Sequence, residues 1–266
     1  MPACIELFIH PAPSYLVDRC ALAHSLSHIW PTVPFGGYAT LVIQTDDMPN
    51  VFPYDTDATP PFLKGHTVFL QPAQEEDREL IRPLARDPRL WEFTKTLTID
   101  DTYDTQFDAY FDEALHLPDL DGRAFVIRTA GDGNVPRSGE IPLLRGSIIG
   151  MSRFFNVAWR DKRLEIGHTW YIPDVWGKVY NKECKLLLLQ YAFEQLHLHR
   201  VEFRVAHQNI RSQRAVEKIG GIKEGVLRKF AIRNDGSRRD TVVFSIIDDE
   251  WPEKKERLRR MVQKEL

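Results

Sequence analysis

Cysteine is scarce, with Cys4, Cys20 and Cys184 the only three in 266 residues. An odd count without paired ligand spacing excludes a disulfide framework and a cysteine-based zinc site, and it fits a reducing compartment. Long apolar runs are missing too: no stretch of about eighteen apolar residues occurs that could span a bilayer as a helix. The N-terminus lacks a basic region followed by a sustained apolar one, because His24, Ser25, Ser27 and His28 interrupt the one candidate stretch. The expectation is a chain without a secretory leader, at a cytoplasmic address. Charge of one sign is not in excess either, since Lys and Arg number 35 against 38 Asp and Glu, a net charge of −3. That balance gives no global pull toward nucleic acid or anionic lipid. The basic stretch 254–264 is interleaved with acids and reads as a solvated helix face rather than a nucleic-acid site.

What is present is uneven along the chain. Residues 1–62 mix prolines, small residues and aromatics without period, and 49–61 resembles a linker, so this segment is expected to be an N-terminal extension. Residues 63–257 read as one domain and 258–266 as a basic C-terminal tail. Within the domain, 66–70 alternates as a short strand, 74–85 places Leu80, Ile81 and Leu84 at helical spacing, and 105–117 does the same with Phe107, Tyr110, Phe111 and Leu115. Residues 124–129 read as a strand and 131–139 as a Gly/Pro-rich turn. Residues 147–156 and 163–172 form a hairpin around a polar turn at 158–162. A helix follows over 181–196, apolar nearly all round and therefore buried. Residues 201–206 are a strand, and 209–219 a helix with Asn209 as N-cap and Gly220-Gly221 as its stop. Two last strands, 226–233 and 240–247, meet through Asn234-Asp235-Gly236. The strand-helix-strand unit around Asn181 demands a parallel crossover, so the expected class is α/β, a mixed sheet with helices on both faces.

One segment carries chemistry by construction. Residues 176–181, Trp-Gly-Lys-Val-Tyr-Asn, lead from a strand into the buried helix, where free backbone N–H groups and the helix dipole favour an anion. Gly177 lets the chain turn tightly and lets a phosphate approach the backbone. A single glycine before a helix is more often an ordinary turn, so the surroundings decide. They comprise Glu165-Ile166-Gly167-His168-Thr169-Trp170, Trp176-Gly177-Lys178, and Asn181-Lys182-Glu183-Cys184-Lys185 with its leucines. Further on come Asn209-Ile210-Arg211-Ser212-Gln213-Arg214-Ala215, Glu224-Gly225-Val226-Leu227-Arg228, Arg239-Asp240-Thr241 and Glu250-Trp251-Pro252. In order and spacing these blocks resemble the branch of the GNAT superfamily that contains the ribosomal-protein N-acetyltransferases RimJ and RimL, over residues 64–257.

The resemblance implies the GNAT fold, a mixed and mostly antiparallel sheet in which two neighbouring parallel strands, here 164–172 and 201–206, splay apart to hold acetyl-CoA. It implies an acetyl-CoA-dependent N-acetyltransferase that needs no metal. The pantetheine arm would pair with backbone groups of Trp170, Tyr171 and Ile172. The pyrophosphate would lie on Trp176, Gly177, Lys178, Val179, Tyr180, Asn181 and Lys182, and Asn209 would bond the pantetheine side. The backbone N–H near Tyr171 or Ile172 would stabilise the oxyanion. Ser212 matches the position of a hydroxyl close to the thiolate and is the candidate proton donor; a polar residue on the first turn of a helix is the plainer role. Glu165 is the candidate base, with His168 ranked behind it. Glu165 could equally be a structural partner of Arg153, Arg163 or Arg204. One departure stands out: the family's second loop glycine is replaced by Val179, which raises an alternative, a non-catalytic acyl-CoA-binding module. Expected acceptors are a protein α-amine or a small-molecule amine, with no membrane or nucleic-acid partner, on a monomer or homodimer. The acids Asp100, Asp101, Asp104, Asp108 and Asp112 would suit a cationic acceptor, or simply form an exposed helix face.

Overall fold

The computed structural model describes residues 62–266 except 95, 118–120, 132–143 and 234–235. The expectations for residues 1–61, for most of the turn at 131–139 and for Asn234 and Asp235 lie outside the described residues. An eight-stranded sheet organises the rest, in the order β1-β2-β3-β4-β5-β6-β8-β7. The first half of the chain supplies β1 (Leu63–Lys64), β2 (Val68–Pro72), α1 (Arg78–Ile81), α2 (Tyr103–His116), β3 (Arg123–Thr129), β4 (Ile148–Ala158) and β5 (Arg163–Tyr171). Then come α3 (Tyr180–Gln190), β6 (Arg200–Ala206), α4 (Ile210–Lys218), β7 (Ile222–Ile232), β8 (Arg238–Ile247) and α5 (Trp251–Gln263). Every neighbouring pair is antiparallel except β5 and β6, which run parallel. A mixed, mostly antiparallel sheet with one parallel pair is therefore the observed architecture.

Side-chain alternation along the strands divides the core between two faces. Residues from α3, α4 and α5 bury Leu188, Leu189, Val216, Leu258 and Val262 against Phe125, Phe203, Val205 and Phe244. On the other face α1 and α2 bury Ile81, Phe107, Tyr110 and Phe111 against Val126, Met151 and Trp170. The α1–α2 seam absorbs most of the acidic stripe: Arg78 pairs with Asp108 and Asp112, Arg82 with Asp104 and Asp108, and Arg86 with Asp104. Asp100 accepts from Thr102.

Three local departures have physical causes. The expected helix over 74–85 breaks into 3₁₀ turns at Glu75–Asp77 and Leu84–Arg86 around the four-residue α1. Pro83 cannot donate the backbone bond a continuous helix needs there. The helix expected over 181–196 is α-helical only as Tyr180–Gln190 and ends in a π turn, Tyr191–Gln195. The stretch from 251 is helical as far as Gln263; Trp251 stacks on Phe193 at 5.3 Å, and Glu265 beyond it holds Lys182 at 2.6 Å.

Two buried charges stitch the layers together. The carboxylate of Glu183 on α3 accepts the backbone N–H groups of His66, Thr67 and Val68 at 2.7, 2.7 and 3.1 Å, and the Thr67 hydroxyl as well. Gly65 makes room for it, since a Cβ there would lie 2.6 Å from Glu183 Cδ. Arg153 on β4 is fully buried beneath α2, donating to the Tyr110 carbonyl at 2.8 Å and pairing with Glu113 at 3.2 Å. At the sheet's far edge β7 is interrupted twice: its register against β8 shifts between Lys223 and Gly225 and again between Leu227 and Ala231. At the second break Lys229 has φ 53° and donates its N–H to Asp240.

Candidate active site

The parallel pair does not stay paired. β5 and β6 are in register at Arg163–Arg200, Leu164–Val201 and Glu165–Glu202, and pairing stops there although both strands continue. Part of the cause is a bulge: Met151 of β4 faces Trp170 and Arg153 faces Gly167, so His168 and Thr169 together oppose Ser152. His168 takes φ 47° to do this. A bulge bends and twists the strand that carries it, here away from β6. Beyond the bulge the Ile172 N–H donates to the Ile149 carbonyl at 2.9 Å. Antiparallel alternation then turns the N–H and C=O of Tyr171, which faces Gly150, away from β4 and into the gap. Its carbonyl already accepts from Trp176 Nε1 at 2.7 Å. Of the backbone groups expected at 170–172, the Tyr171 N–H is the one aimed at the slot, and the Ile172 N–H is spent in the sheet. The Tyr171 hydroxyl lies buried on the opposite side, where desolvation and Cys184 push it far above its ordinary range.

The slot opens onto the loop before α3. Gly177 has φ 77°, and a Cβ built on it meets nothing within 4 Å, so its outer side is open for a ligand. Val179 lies in ordinary αR backbone with its side chain 2% exposed in the core. Its branch therefore points inward, away from the loop's outer face. Across the gap Asn209 caps α4, accepting the Ser212 N–H at 3.0 Å. The Arg211 guanidinium carbon lies over the Trp176 ring, 3.9 Å from its centroid.

A cavity of about 440 Å³ runs through the splay, and both Asn209 and Ser212 line it. Its walls carry seven Lys or Arg side chains and, among the described residues, no Asp or Glu. Four of the cations, Lys178, Lys182, Arg211 and Lys218, come from the loop and the α3 and α4 side. Lys185 sits in the middle: it is wholly buried on α3, donates to Thr169 Oγ1 at 2.7 Å and Ser152 Oγ at 3.4 Å, and has no carboxylate partner among the described residues. Desolvation brings its amine down from 10.5 to about 8. Arg204 and Arg239 form the far wall. Phe203 and Val205 pack toward α3, so alternation puts Arg204 and its β8 partner Val243 on the α2 face of the sheet, and Arg239, four residues before Val243 on β8, on that same face. Trp91, Phe93, Thr94 and Thr96 complete that end.

Glu165 does not reach this wall. It is 4% exposed behind Arg204, accepting from Asn156 Nδ2 at 2.9 Å with Arg204 Nε at 3.4 Å. Burial raises its pKa, while Asn156 and Arg204 pull it back down. Among its three alternative partners, Arg204 is the one realised. His168, ranked behind it from sequence, does line the cavity, packed against Phe155 and Tyr110. Sequence reasoning missed Lys185, Arg204 and Arg239. Lys185 had a legible signal, a lysine inside a helix apolar nearly all round; Arg204 stood only among the alternative partners of Glu165 and Arg239 only within a family-like block, because strand alternation gives a face but not a cavity.

The arrangement fits a phosphorylated, thioester-bearing ligand: an open glycine and helix N-terminus for the phosphates, cations beside them, and an unpaired strand edge leading inward. A family model for the acetyltransferase (GNAT) domain matches residues 67–222. YdaF of Bacillus subtilis (strain 168), provisionally assigned as a ribosomal N-acetyltransferase, is 34% identical over 110 residues, 41% of this chain and 58% of that protein. A crystal structure from T. thermophilus, provisionally assigned as an acetyltransferase, is 32% identical with a TM-score of 0.63, covering 77% of this chain and 98% of its own. RimJ of Mycobacterium smegmatis, solved with CoA-disulfide, has a TM-score of 0.60 over 73% of this chain and 88% of its own; at 21% identity it shows a shared fold. The chain belongs to the GNAT family of acetyltransferases.

Proposed function

We propose that this chain transfers the acetyl group of acetyl-CoA to a primary amine, a protein α-amine or a small-molecule amine, by direct attack on the thioester. The observation that carries this is the splay of β5 from β6, opening onto the Gly177 loop through a cavity lined by seven Lys or Arg side chains and, among the described residues, by no Asp or Glu. The loop amides with Lys178, Lys182 and Arg211 hold the phosphates, and Asn209 faces the pantetheine arm. The amine attacks from the α2 side, and the Tyr171 N–H receives the negative charge that develops on the carbonyl oxygen. The C–S bond breaks, and Ser212 on the opposite wall supplies a proton to the sulfur. His168 and ordered water take the proton the amine must lose, while Glu165 holds Arg204 in place. Much of the acceleration comes from holding amine and thioester together. The ribosomal assignment of YdaF supports a protein α-amine among the acceptors. A non-catalytic acyl-CoA-binding module loses its one support, since Val179 is buried away from the loop face.

The test is thiol release from acetyl-CoA with a panel of amines and N-terminal peptides. Gly177→Asp should abolish binding, because it puts a carboxylate and a strained φ where the phosphates lie. Release that persists in this variant at wild-type KM would overturn the assignment of the loop.

A further inference from the structure

The cations of the cavity exceed what the phosphates of one CoA require, and they fall into two groups separated by the sheet. Lys178, Lys182, Arg211 and Lys218 flank the loop before α3 and the first turns of α4. Arg204 and Arg239 lie on the α2 face, at the end where the amine must enter. Their electrostatic situations differ. Arg204 is neutralised twice over, by Glu202 at 3.2 Å and Glu165 at 3.4 Å, and its guanidinium is covered by the Phe230 ring at 5.6 Å. Arg239 has no carboxylate oxygen within 4.0 Å among the described residues. Among the described residues its side chain bonds from Nη2 to Thr241 Oγ1 at 3.3 Å, and its Nε is buried without an acceptor. Glu165, bonded to Asn156 and paired with Arg204, attracts Arg239 only from beyond 4.0 Å, and Arg233 repels it. An arginine cannot relieve this by losing its proton.

The acids that would have drawn in a polycationic acceptor are spent elsewhere. Asp104, Asp108 and Asp112 are tied to Arg78, Arg82 and Arg86 along the α1–α2 seam, and none lines the cavity. A spermidine-like acceptor would therefore put further positive charge against Arg239 and Lys185. An acceptor that carries an anion would supply the acceptor groups that Arg239 lacks, through a planar two-pronged contact for which a guanidinium is shaped.

We infer that Arg239 is the acceptor-recognition residue and that the natural substrate is an amine bearing a carboxylate: an acidic amino-terminal peptide or an amino acid, not a polyamine. The inference rests on the acetyl-transfer reading for its chemistry but not for its binding step. Two readouts on the full chain test it. In the first, thiol release is measured with amidated dipeptides matched in all but one carboxylate, aspartate against asparagine and glutamate against glutamine at the second position, beside amino acids, their carboxamides and spermidine. In the second, the same compounds are titrated onto CoA-loaded protein by calorimetry, which needs no turnover.

The expected result is a preference of at least about tenfold for the carboxylate member of a pair, expressed in KM and Kd. Arg239→Met should collapse it to near unity and Arg239→Lys should restore it in part, with the Kd for acetyl-CoA unchanged in both. Equal handling of acid and amide, a preference for spermidine, or a preference that survives Arg239→Met would overturn the inference and leave the acetyltransferase standing. Selective binding of the acids without thiol release would uphold the site and count against acetyl transfer instead.

Discussion

Replacing Glu183 by alanine is the most direct test of what holds the amino-terminal edge of the sheet to α3. The carboxylate accepts three consecutive backbone N–H groups, from His66, Thr67 and Val68, together with the Thr67 hydroxyl. Glu183 itself is 2% exposed, so water does not replace it easily. A buried donor left unpaired costs about 1–3 kcal/mol, so three of them set an upper range of about 3–9 kcal/mol. Removing the carboxylate also relieves its own desolvation, and some water enters the space, which brings the net loss to about 3–5 kcal/mol. That is a third or more of the stability of an ordinary domain. In urea titrations the midpoint should fall by about 1–2 M with the slope unchanged. Hydrogen exchange at residues 66–68 should accelerate most. Gly65→Ala supplies an internal control: its Cβ collides with Glu183 in the wild type and has nothing to collide with in the alanine variant. The two changes should therefore cost less together than the sum of their separate effects. A loss below about 1 kcal/mol for Glu183→Ala, or strict additivity with Gly65→Ala, would refute this account.

Lys185→Met should make stability less dependent on pH. The folded protein holds the Lys185 amine at about 8 against an ordinary 10.5, so the folded state binds fewer protons and stability rises as pH climbs from about 8 to 10.5. The displacement corresponds to about 3 kcal/mol; the methionine variant should be more stable than wild type at pH 7 by up to that amount and lose the advantage by pH 10.5, as melting at both values will show. Asn209→Ala removes the cap of α4 and should cost about 1 kcal/mol in urea unfolding. It should also weaken acetyl-CoA binding several-fold by calorimetry; unchanged affinity would detach Asn209 from the ligand.

The sequence disclosed elements whose signal is local and strong. The helix at α3 was legible because apolar residues nearly all round leave burial as the sole option, and the Asn209 cap because a side-chain oxygen before an amphipathic stretch has a defined job. The Gly177 loop became legible through the blocks around it. What stayed hidden depends on distance along the chain. Nothing near His168 announces a left-handed residue in a strand; the bulge exists because β4 is one residue short opposite it. The partner of Glu165 was chosen by the register of β5 on β6, which no pattern within either strand encodes. The broken helix near Pro83 was different, since a proline inside a helical pattern carries its own warning. Val179 had looked like a defect in the loop because a side chain's direction depends on backbone angles that a comparison of letters does not contain.

The double interruption of β7 has a consequence for how the molecule behaves in a crowded solution. As the last strand of the sheet, it exposes Ile222, Val226, Leu227, Phe230 and Ile232 beside a backbone edge unpaired among the described residues, a combination that invites the addition of further strands. A straight incoming strand would fall out of register at Lys223 and again at Lys229, where the left-handed kink and the cationic side chains turn it away. This edge of the described sheet is thus hard to extend into a growing one.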